Sequence, residues 1–590
     1  MFALIYTASI LVIMTALLIK EVTKPSVVLF SSLLLLILGD VISISEALNG
    51  FSNPGMLTVG MLFIVAAAIQ SSSRFEDMVM YVLGKKNHRK TRYLRLMLPV
   101  SALSAFLNNT PVVASLIPMI NTWAKRNNLS SSKFLIPLSY AAIFGGICTL
   151  IGTSTNLVVH GMMLNHGMEG FSFFEIGKIG LPVAVVGILY FTLWGHRLLP
   201  SRKDSITQFE ESTRKFVVEL KVASNYPHKG KSVEQAELRN LQGLFLFQIL
   251  RNGETIAPVS PDELIKEGDR LFFTGLPDTI YELQKTPGLN VIEDVEFDPR
   301  NIDSDKLKTF EVVVSNVSPV LGKTVKECHF RNRYNGVILG IHRGGSRINK
   351  KIGDIQLQAN DTLFILANKN FAEKWYHSLD FSLVTSSLHS YSKPEKKGNL
   401  ALILLVLMVL SAALNVVPIL IAAAVTAIML IMTNIISFSD AKKSVDFYVL
   451  IIIASAFGIA TALINSGLAG LIAHTMIDVL ESFGRVGIVA GLFLITSLYT
   501  EIITNNAGAA IMFPIALSVS QNLNMDTLPF MLIITLGASA SFATPIGYQT
   551  NLLVYNVGGY KFSDFLKTGL IMNVLAGIIG VFMVWLLYLK

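Results

Sequence analysis

Leu107-Asn108-Asn109-Thr110-Pro111, followed by Gly152-Thr153-Ser154-Thr155-Asn156-Leu157-Val158-Val159, is echoed about 390 residues later. The second copy reads Thr504-Asn505-Asn506-Ala507 and then Gly547-Tyr548-Gln549-Thr550-Asn551-Leu552-Leu553-Val554. A third pair closes each half, Glu175-Ile176-Gly177-Lys178-Ile179-Gly180-Leu181 against Asp564-Phe565-Leu566-Lys567-Thr568-Gly569-Leu570. All of them lie inside strongly apolar sequence. Amides and hydroxyls are costly in hydrocarbon, so two matched polar sets point to one binding site assembled from two related halves.

The composition agrees with a membrane setting. The chain has 590 residues, 52% of them hydrophobic and only 15% charged, with a mean hydropathy of +0.56. It is a polytopic membrane protein on that usage. The formal charge of +8 does not mark a nucleic-acid binder. Its basic residues cluster in short loops beside apolar runs, as the positive-inside bias requires. Cys148 and Cys328 stand in different kinds of sequence and suggest neither a disulfide framework nor a metal cluster. Met1 to Ile19 lacks a basic n-region and a small-residue cleavage site, and reads as the first membrane helix.

Apolar stretches of spanning length run over 1–20, 26–44, 56–72, 134–164 and 178–199, and again over 398–413, 416–436, 447–466, 527–557 and 567–589. Five spans per half is an odd number, so the halves insert with opposite orientation and the repeat is inverted. Loop charges follow that scheme. Lys20, Lys24, the Lys85 to Arg95 cluster, Lys125, Arg126, Lys133, Arg197, Arg202 and Lys203 share one side. Lys396, Lys397, Lys442, Lys443, Lys561 and Lys567 share the same side in the second half. That side is the cytoplasm, and both termini are outside. From Leu96 to Leu107 there is only about 18 Å of helix against a core of about 30 Å. With basic flanks on both sides, this segment reads as a re-entrant hairpin turning at Asn108 to Pro111, with Thr110 and Pro111 as N-cap and first turn of the returning arm. Its counterpart around Thr504 to Gly508 is either a second hairpin or a spanning helix with a polar kink.

Between the halves the sequence changes kind. Polar, strand-patterned runs such as Lys215 to Lys221 and Phe310 to Val314 mark a soluble cytoplasmic insertion. It repeats itself at an offset of 92 (322 − 230 = 92): Gly230-Lys231-Ser232-Val233 with Gly322-Lys323-Thr324-Val325, Arg239-Asn240 with Arg331-Asn332, and Arg251 with Arg343. The same offset pairs Gly268-Asp269-Arg270-Leu271-Phe272 with Asn360-Asp361-Thr362-Leu363-Phe364. The Gly-Lys-Ser and Gly-Lys-Thr triplets are not phosphate loops, because Asn225 and Val317 stand where that motif needs its first glycine. Four domains result: membrane repeats at 1–200 and 396–590, and small domains at 205–290 and 300–385.

These motifs resemble the divalent anion/sodium symporter family of the ion-transporter superfamily, over residues 1–200 and 396–590. The hairpin tip and its Gly-Thr-Ser-Thr-Asn partner are similar to the Ser-Asn-Thr tips and unwound helices of that family, with Asn108 where a serine is usual. The inserted pair resembles TrkA-C regulatory domains. The resemblance implies an α-helical inverted-repeat permease of about ten transmembrane helices and two re-entrant hairpins, carrying two α/β TrkA-C-like domains. It implies Na⁺-coupled symport of a divalent anion, sulfate first and dicarboxylate second, by a homodimeric elevator in the cell (inner) membrane.

Half-helices that begin at mid-membrane offer N–H groups to an oxyanion, and those that end there offer carbonyls to Na⁺. On this reading Asn108, Asn109, Thr110, Ser154, Thr155, Asn156, Asn505, Asn506, Thr550 and Asn551 take the substrate. Asn109, Gly152, Thr153, Asn506, Thr544 and Gly547 take Na⁺, the coupling ion, with no other metal and no cofactor. Any one of these residues could instead be an interhelical hydrogen bond. Glu501 is either an ion or proton site or a paired carboxylate. Arg251 and Arg343 are candidates for a small cytosolic ligand, a nucleotide or metabolite. The inserted pair is otherwise a dimerisation module. The rivals are an arsenite-type or Na⁺/H⁺ exchanger of the same superfamily and, from another class, a ligand-gated channel. No potassium-filter sequence supports the channel, and no nucleophile, base and orienter set supports an enzyme.

Overall fold

The computed structural model describes residues 1–20, 22–70, 79, 81, 84, 91–127, 129–201, 217–238, 244–256, 259–275, 286–291, 307–315, 318–343, 346–348, 350, 352–359, 361–375, 378, 380–386 and 398–590. Lys85, Lys86, Arg89, Lys90, Arg202, Lys203, Lys396, Lys397 and the Arg239-Asn240 pair lie outside them. The chain forms two units. One comprises Met1–Ser201, Ser392–Val554 and Lys561–Lys590, the other Arg202–Tyr391 with Tyr555–Tyr560.

The first unit is helical. Among the described residues, five helices are long and apolar enough to cross a membrane: Phe2–Ile19, Ile44–Ile69, Phe447–Asn465, Leu468–Thr500 and Phe562–Leu589. Shorter apolar helices are Pro25–Leu38, Gly177–Leu193, Gly398–Ala413, Ile419–Met432 and Leu528–Ser539. On Gly177–Leu193, Leu181, Val185 and Leu189 are exposed at helical spacing, opposite buried Val183, Ala184 and Phe191. A bare aliphatic stripe of that kind is unfavourable in water and at home in lipid.

The two halves repeat one succession of helices. In the first, Arg92–Ser104 turns through four residues into Asn109–Arg126, followed by Ser132–Gly146, Ser154–Asn165 and Gly177–Leu193. In the second, Gly484–Thr500 turns through four residues into Asn505–Asn522, followed by Leu528–Ser539, Gln549–Val557 and Phe562–Val584. The apolar runs at 134–164 and 527–557 are therefore each two helices. Hydropathy alone passes over the breaks because the unwound residues between them are themselves apolar or small.

The third echo has a packing cause. A Cβ on Gly180 would overlap the carbonyl oxygen of Ile147, the first residue past Gly146, and one on Gly569 would overlap the carbonyl of Phe542. Each closing helix thus presses its backbone against the unwound segment of its own half, and only glycine permits that approach.

The tips differ from expectation by a small register. The returning arm begins at Asn109, so Asn108 rather than Thr110 precedes its first turn, and Pro111 falls inside that turn. The second arm begins at Asn505, with Thr504 as N-cap in extended geometry. By position, Asn109 corresponds to Asn505 and Thr110 to Asn506. The apparent match of Asn108-Asn109 with Asn505-Asn506 is offset by one residue.

The second unit contains two five-stranded antiparallel sheets of one topology. The first orders its strands Glu254–Ile256, Leu244–Arg251, Arg270–Gly275, Val217–Val222 and Leu289–Val291. The second orders them Ser346–Arg347, Gly336–Arg343, Thr362–Asn368, Leu307–Val314 and Phe381–Ser386. Register irregularities at Leu246/Gln248 and Ile338/Gly340 fall at the same place. The core residues also correspond: Leu220, Val222, Ile249, Leu271 and Phe273 match Val312, Val314, Ile341, Leu363 and Ile365. Gly230 and Gly322 occupy positive-φ turns just before the bridges Ser232 to Leu264 and Thr324 to Gln356. Neither triplet opens a helix, as a phosphate loop would.

Candidate functional site

Four helices in the first unit begin at one place: Asn109–Arg126, Ser154–Asn165, Asn505–Asn522 and Gln549–Val557. Their first residues are bonded across the two halves. Ser154 Oγ donates to Asn506 Oδ1 (3.0 Å), and Thr155 Oγ1 reaches the same oxygen at 3.3 Å. Thr110 Oγ1 donates to Gln549 Oε1 at 3.1 Å. These contacts are one interaction written twice: the second residue of each hairpin helix meets the first residue of the other half's broken helix. At the centre, Asn109 presents its amide nitrogen to the carbonyls of Ala142 (3.0 Å) and Gly152 (3.3 Å) and accepts from the Tyr548 hydroxyl at 2.5 Å. Tyr548 Oη also lies 3.2 Å from Thr153 Oγ1.

Each helix start carries unpaired N–H groups and roughly half a positive charge. Four such ends together make an electropositive place, with no cationic side chain bonded into it among the described residues. Among the described residues, the polar groups bonded into this cluster are amides, hydroxyls and main-chain groups, joined by one carboxylate. A cavity of about 360 Å³, open solvent included, lies beside it, lined by Asn108 and Ser154 and by apolar Val59, Leu62, Phe106 and Leu157.

Asn156 and Asn551 hold the breaks. Asn156 Nδ2 donates to the carbonyls of Gly146 (2.9 Å) and Thr149 (2.7 Å), and Asn551 Nδ2 to those of Ser541 (3.0 Å) and Thr544 (3.1 Å). In both halves the partners are ten and seven residues upstream, so each amide clamps the ends of its unwound loop. Asn551 Oδ1 also accepts from Ser139, which contacts Thr550 at 2.8 Å. Asn156, Thr550 and Asn551 are fully buried, set back from the hairpin tips.

The halves differ at the end of the first hairpin arm. Thr149 donates to the Ala105 carbonyl, and Thr544 donates to the Glu501 carbonyl at 3.1 Å. Ala105 has no counterpart to what Glu501 then does. Its carboxylate accepts from the main-chain N–H groups of Ala543 and Thr544, both 2.9 Å, and from Asn573 Nδ2 at 2.8 Å. Gly547 packs against this group, and a Cβ there would come 2.8 Å from Glu501 Oε2. The carboxylate's hydrogen-bond partners among the described residues are all neutral N–H donors.

Several oxygens in the cluster have no hydrogen-bond partner among the described residues: Thr504 Oγ1, Asn505 Oδ1, Ser539 Oγ, Ser541 Oγ and, in the first half, Asn156 Oδ1. Orphaned hard oxygens are the donor chemistry that Na⁺ takes, and most of them lie on the second half. Sequence reasoning missed Tyr548, Ser539 and Ser541. Tyr548 could have been found, because the echo puts it in the place of Thr153.

In the second unit, Arg251 forms a fork on Asp269 (2.8 and 2.9 Å), reaches Glu263 at 2.8 Å and caps the Leu264 carbonyl. Arg343 repeats this on Asp361 (2.7 and 2.8 Å) and the Gln356 carbonyl. Asp269 and Asp361 are fully buried. The paired aspartates raise both guanidinium pKa values above the usual arginine range. Each guanidinium thus has these partners within its own domain.

Over residues 10–520 and 482–590 the chain matches the family described as citrate transporter. It belongs to that family. Its function is therefore transport and not catalysis. A putative sulfur deprivation response regulator of Chlamydomonas reinhardtii is 34% identical over 576 residues, covering 95% of this chain and 98% of the relative. An uncharacterized transporter of Synechocystis is 30% identical, covering 94% and 92%. A probable sodium/sulfate cotransporter 3 of Chlamydomonas reinhardtii is 26% identical, covering 90% and 82%. Each of these three aligns along 90% or more of this chain.

Proposed function

We propose that the chain is a secondary active symporter that couples Na⁺ to the uptake of a divalent oxyanion, sulfate foremost and dicarboxylates second. The observation that carries this reading is the convergence of four half-helix N-termini on neutral donors, where an anion gains N–H bonds without meeting a fixed cation. The sodium/sulfate naming of relatives that align along most of the chain supports it. The oxygens left without partners around Thr504, Asn505 and Ser541 would hold Na⁺, and Gly152, Thr153, Thr544 and Gly547 border the same breaks. The test is radiolabelled sulfate uptake into proteoliposomes. An inward Na⁺ gradient is expected to drive accumulation, and succinate to compete weakly. Uptake indifferent to Na⁺, or none of either anion, would overturn the reading. Among their described residues the inserted domains show no anion path, and TrkA-C-like modules of this kind would tune the rate. In the same assay a bound nucleotide or sulfur metabolite should change it several-fold, as couplings of about 1 to 3 kcal/mol allow.

The reading includes ten spans, two re-entrant hairpins and an inverted repeat that moves as an elevator within a homodimer. The Arg92–Ser104 arm, 13 residues long, reaches about 20 Å at 1.5 Å per residue, short of the roughly 30 Å core. Arg126 and Asn522 end the two returning arms and are exposed. In a background lacking Cys148 and Cys328, Arg126→Cys should label only from the cytoplasm and Asn522→Cys only from outside. Labelling of both from one side would sink the inversion.

A further inference from the structure

We infer that Tyr548 sets the size of the anion this cluster accepts, favouring a compact tetrahedral oxyanion over an extended dicarboxylate. The inference rests on the anion reading above. Its own basis is a difference between the halves, which serve as controls for each other. Thr149, Thr155 and Asn156 recur as Thr544, Thr550 and Asn551, and each break ends in a glycine, Gly152 or Gly547, next to the residue that precedes the following half-helix. In the first half that residue is Thr153. In the second it is Tyr548.

A hydroxyl on Cβ serves its own helix start, whereas a phenol carries its hydroxyl a ring's length into the centre. The Tyr548 hydroxyl reaches Asn109 on the first hairpin at 2.5 Å and Thr153 of the other half at 3.2 Å. The residue is 7% exposed, so its ring fills the space between the starts of Asn109–Arg126, Ser154–Asn165 and Gln549–Val557. The ring thus takes up room at the centre that a threonine leaves open, and its C–H edge cannot pair a second carboxylate. Sulfate presents all its oxygens around one atom and needs no second pole of donors. A four-carbon dicarboxylate needs one, together with the room that the ring occupies.

The experiment compares wild type with Tyr548→Phe, which keeps the ring, and Tyr548→Thr, which copies the first half. Thermal shifts of purified protein in detergent are read against sulfate, malonate and succinate, alongside competition for sulfate uptake. Wild type is expected to respond to sulfate and to lose response stepwise with anion length. Tyr548→Phe should keep that order with weaker sulfate binding. Tyr548→Thr should improve succinate relative to sulfate by tenfold or more. Equal responses of wild type to all three anions would overturn the inference without any variant, as would unchanged selectivity in a folded Tyr548→Thr protein. Loss of every anion in Tyr548→Thr, with selectivity kept in Tyr548→Phe, would make the ring a strut and also overturn it. Wild type that responds to no divalent anion would remove the anion reading itself, a failure distinct from these.

Discussion

Asn109→Ala is expected to reduce anion uptake by a hundredfold or more and to lower stability as well, whereas Asn505→Ala should reduce uptake with little loss of stability. The two residues begin the two returning hairpin arms and are positional equivalents. Their surroundings differ. Asn109 is 1% exposed and engages Ala142, Gly152 and Tyr548. Removing its amide strands two carbonyls and a phenol in a desolvated place. Each net hydrogen bond is worth about 1 kcal/mol and each stranded group costs roughly 1 to 3 kcal/mol, so the local loss is on the order of 3 kcal/mol, or over a hundredfold. Asn505 has no partner at its Oδ1 and is half-buried, so alanine there removes an unused acceptor. That oxygen has a purpose only if a ligand or ion takes it. Proteoliposome uptake and melting temperature, measured on both variants, separate the cases. Near-normal uptake in both would reduce these amides to interhelical contacts.

How far the sequence discloses this architecture can be judged at particular residues. The repeated Asn and Gly-x-x-Thr-Asn motifs mark residues that the fold brings together, because a polar group in an apolar segment is visible at a glance. The same motifs do not disclose division of labour. Asn156 and Asn551 look like site residues, yet their amide nitrogens clamp carbonyls ten and seven residues upstream. That geometry exists only after the chain unwinds, and the breaks fall in segments whose hydropathy never drops. The register of the tips was hidden for a related reason. Two consecutive asparagines align equally well in either of two ways, and only the start of the helix decides that Asn109 matches Asn505. In the inserted domains the 92-residue offset carried through the described strands and most of their core positions, since strands alternate faces and tolerate no slip. Arg251 and Arg343 repeated at that offset for a structural reason, the buried aspartate each one pairs.

Glu501 is the sharpest departure from symmetry, and Glu501→Ala is expected to destabilise the protein by roughly 3 kcal/mol or more, since each buried donor left without its acceptor costs about 1 to 3 kcal/mol. Three donors lose their acceptor at once, the N–H groups of Ala543 and Thr544 and the side chain of Asn573. The first break does without such a carboxylate. There the equivalent of Ala543 is Cys148, whose main-chain N–H donates to the Gly145 carbonyl at 2.9 Å. The carboxylate therefore supplies by side chain what the first half obtains from backbone. Glu501→Gln should recover part of the loss, since its amide offers one oxygen to three donors. Thermal melts in Na⁺-free detergent decide the matter. A large drop for Glu501→Ala without Na⁺ marks a tether. An unchanged melt without Na⁺, with a lost response when Na⁺ is added, would instead make Glu501 a ligand of the coupling ion. The number and direction of its N–H donors argue for the tether, because both carboxylate oxygens already face donors in the protein.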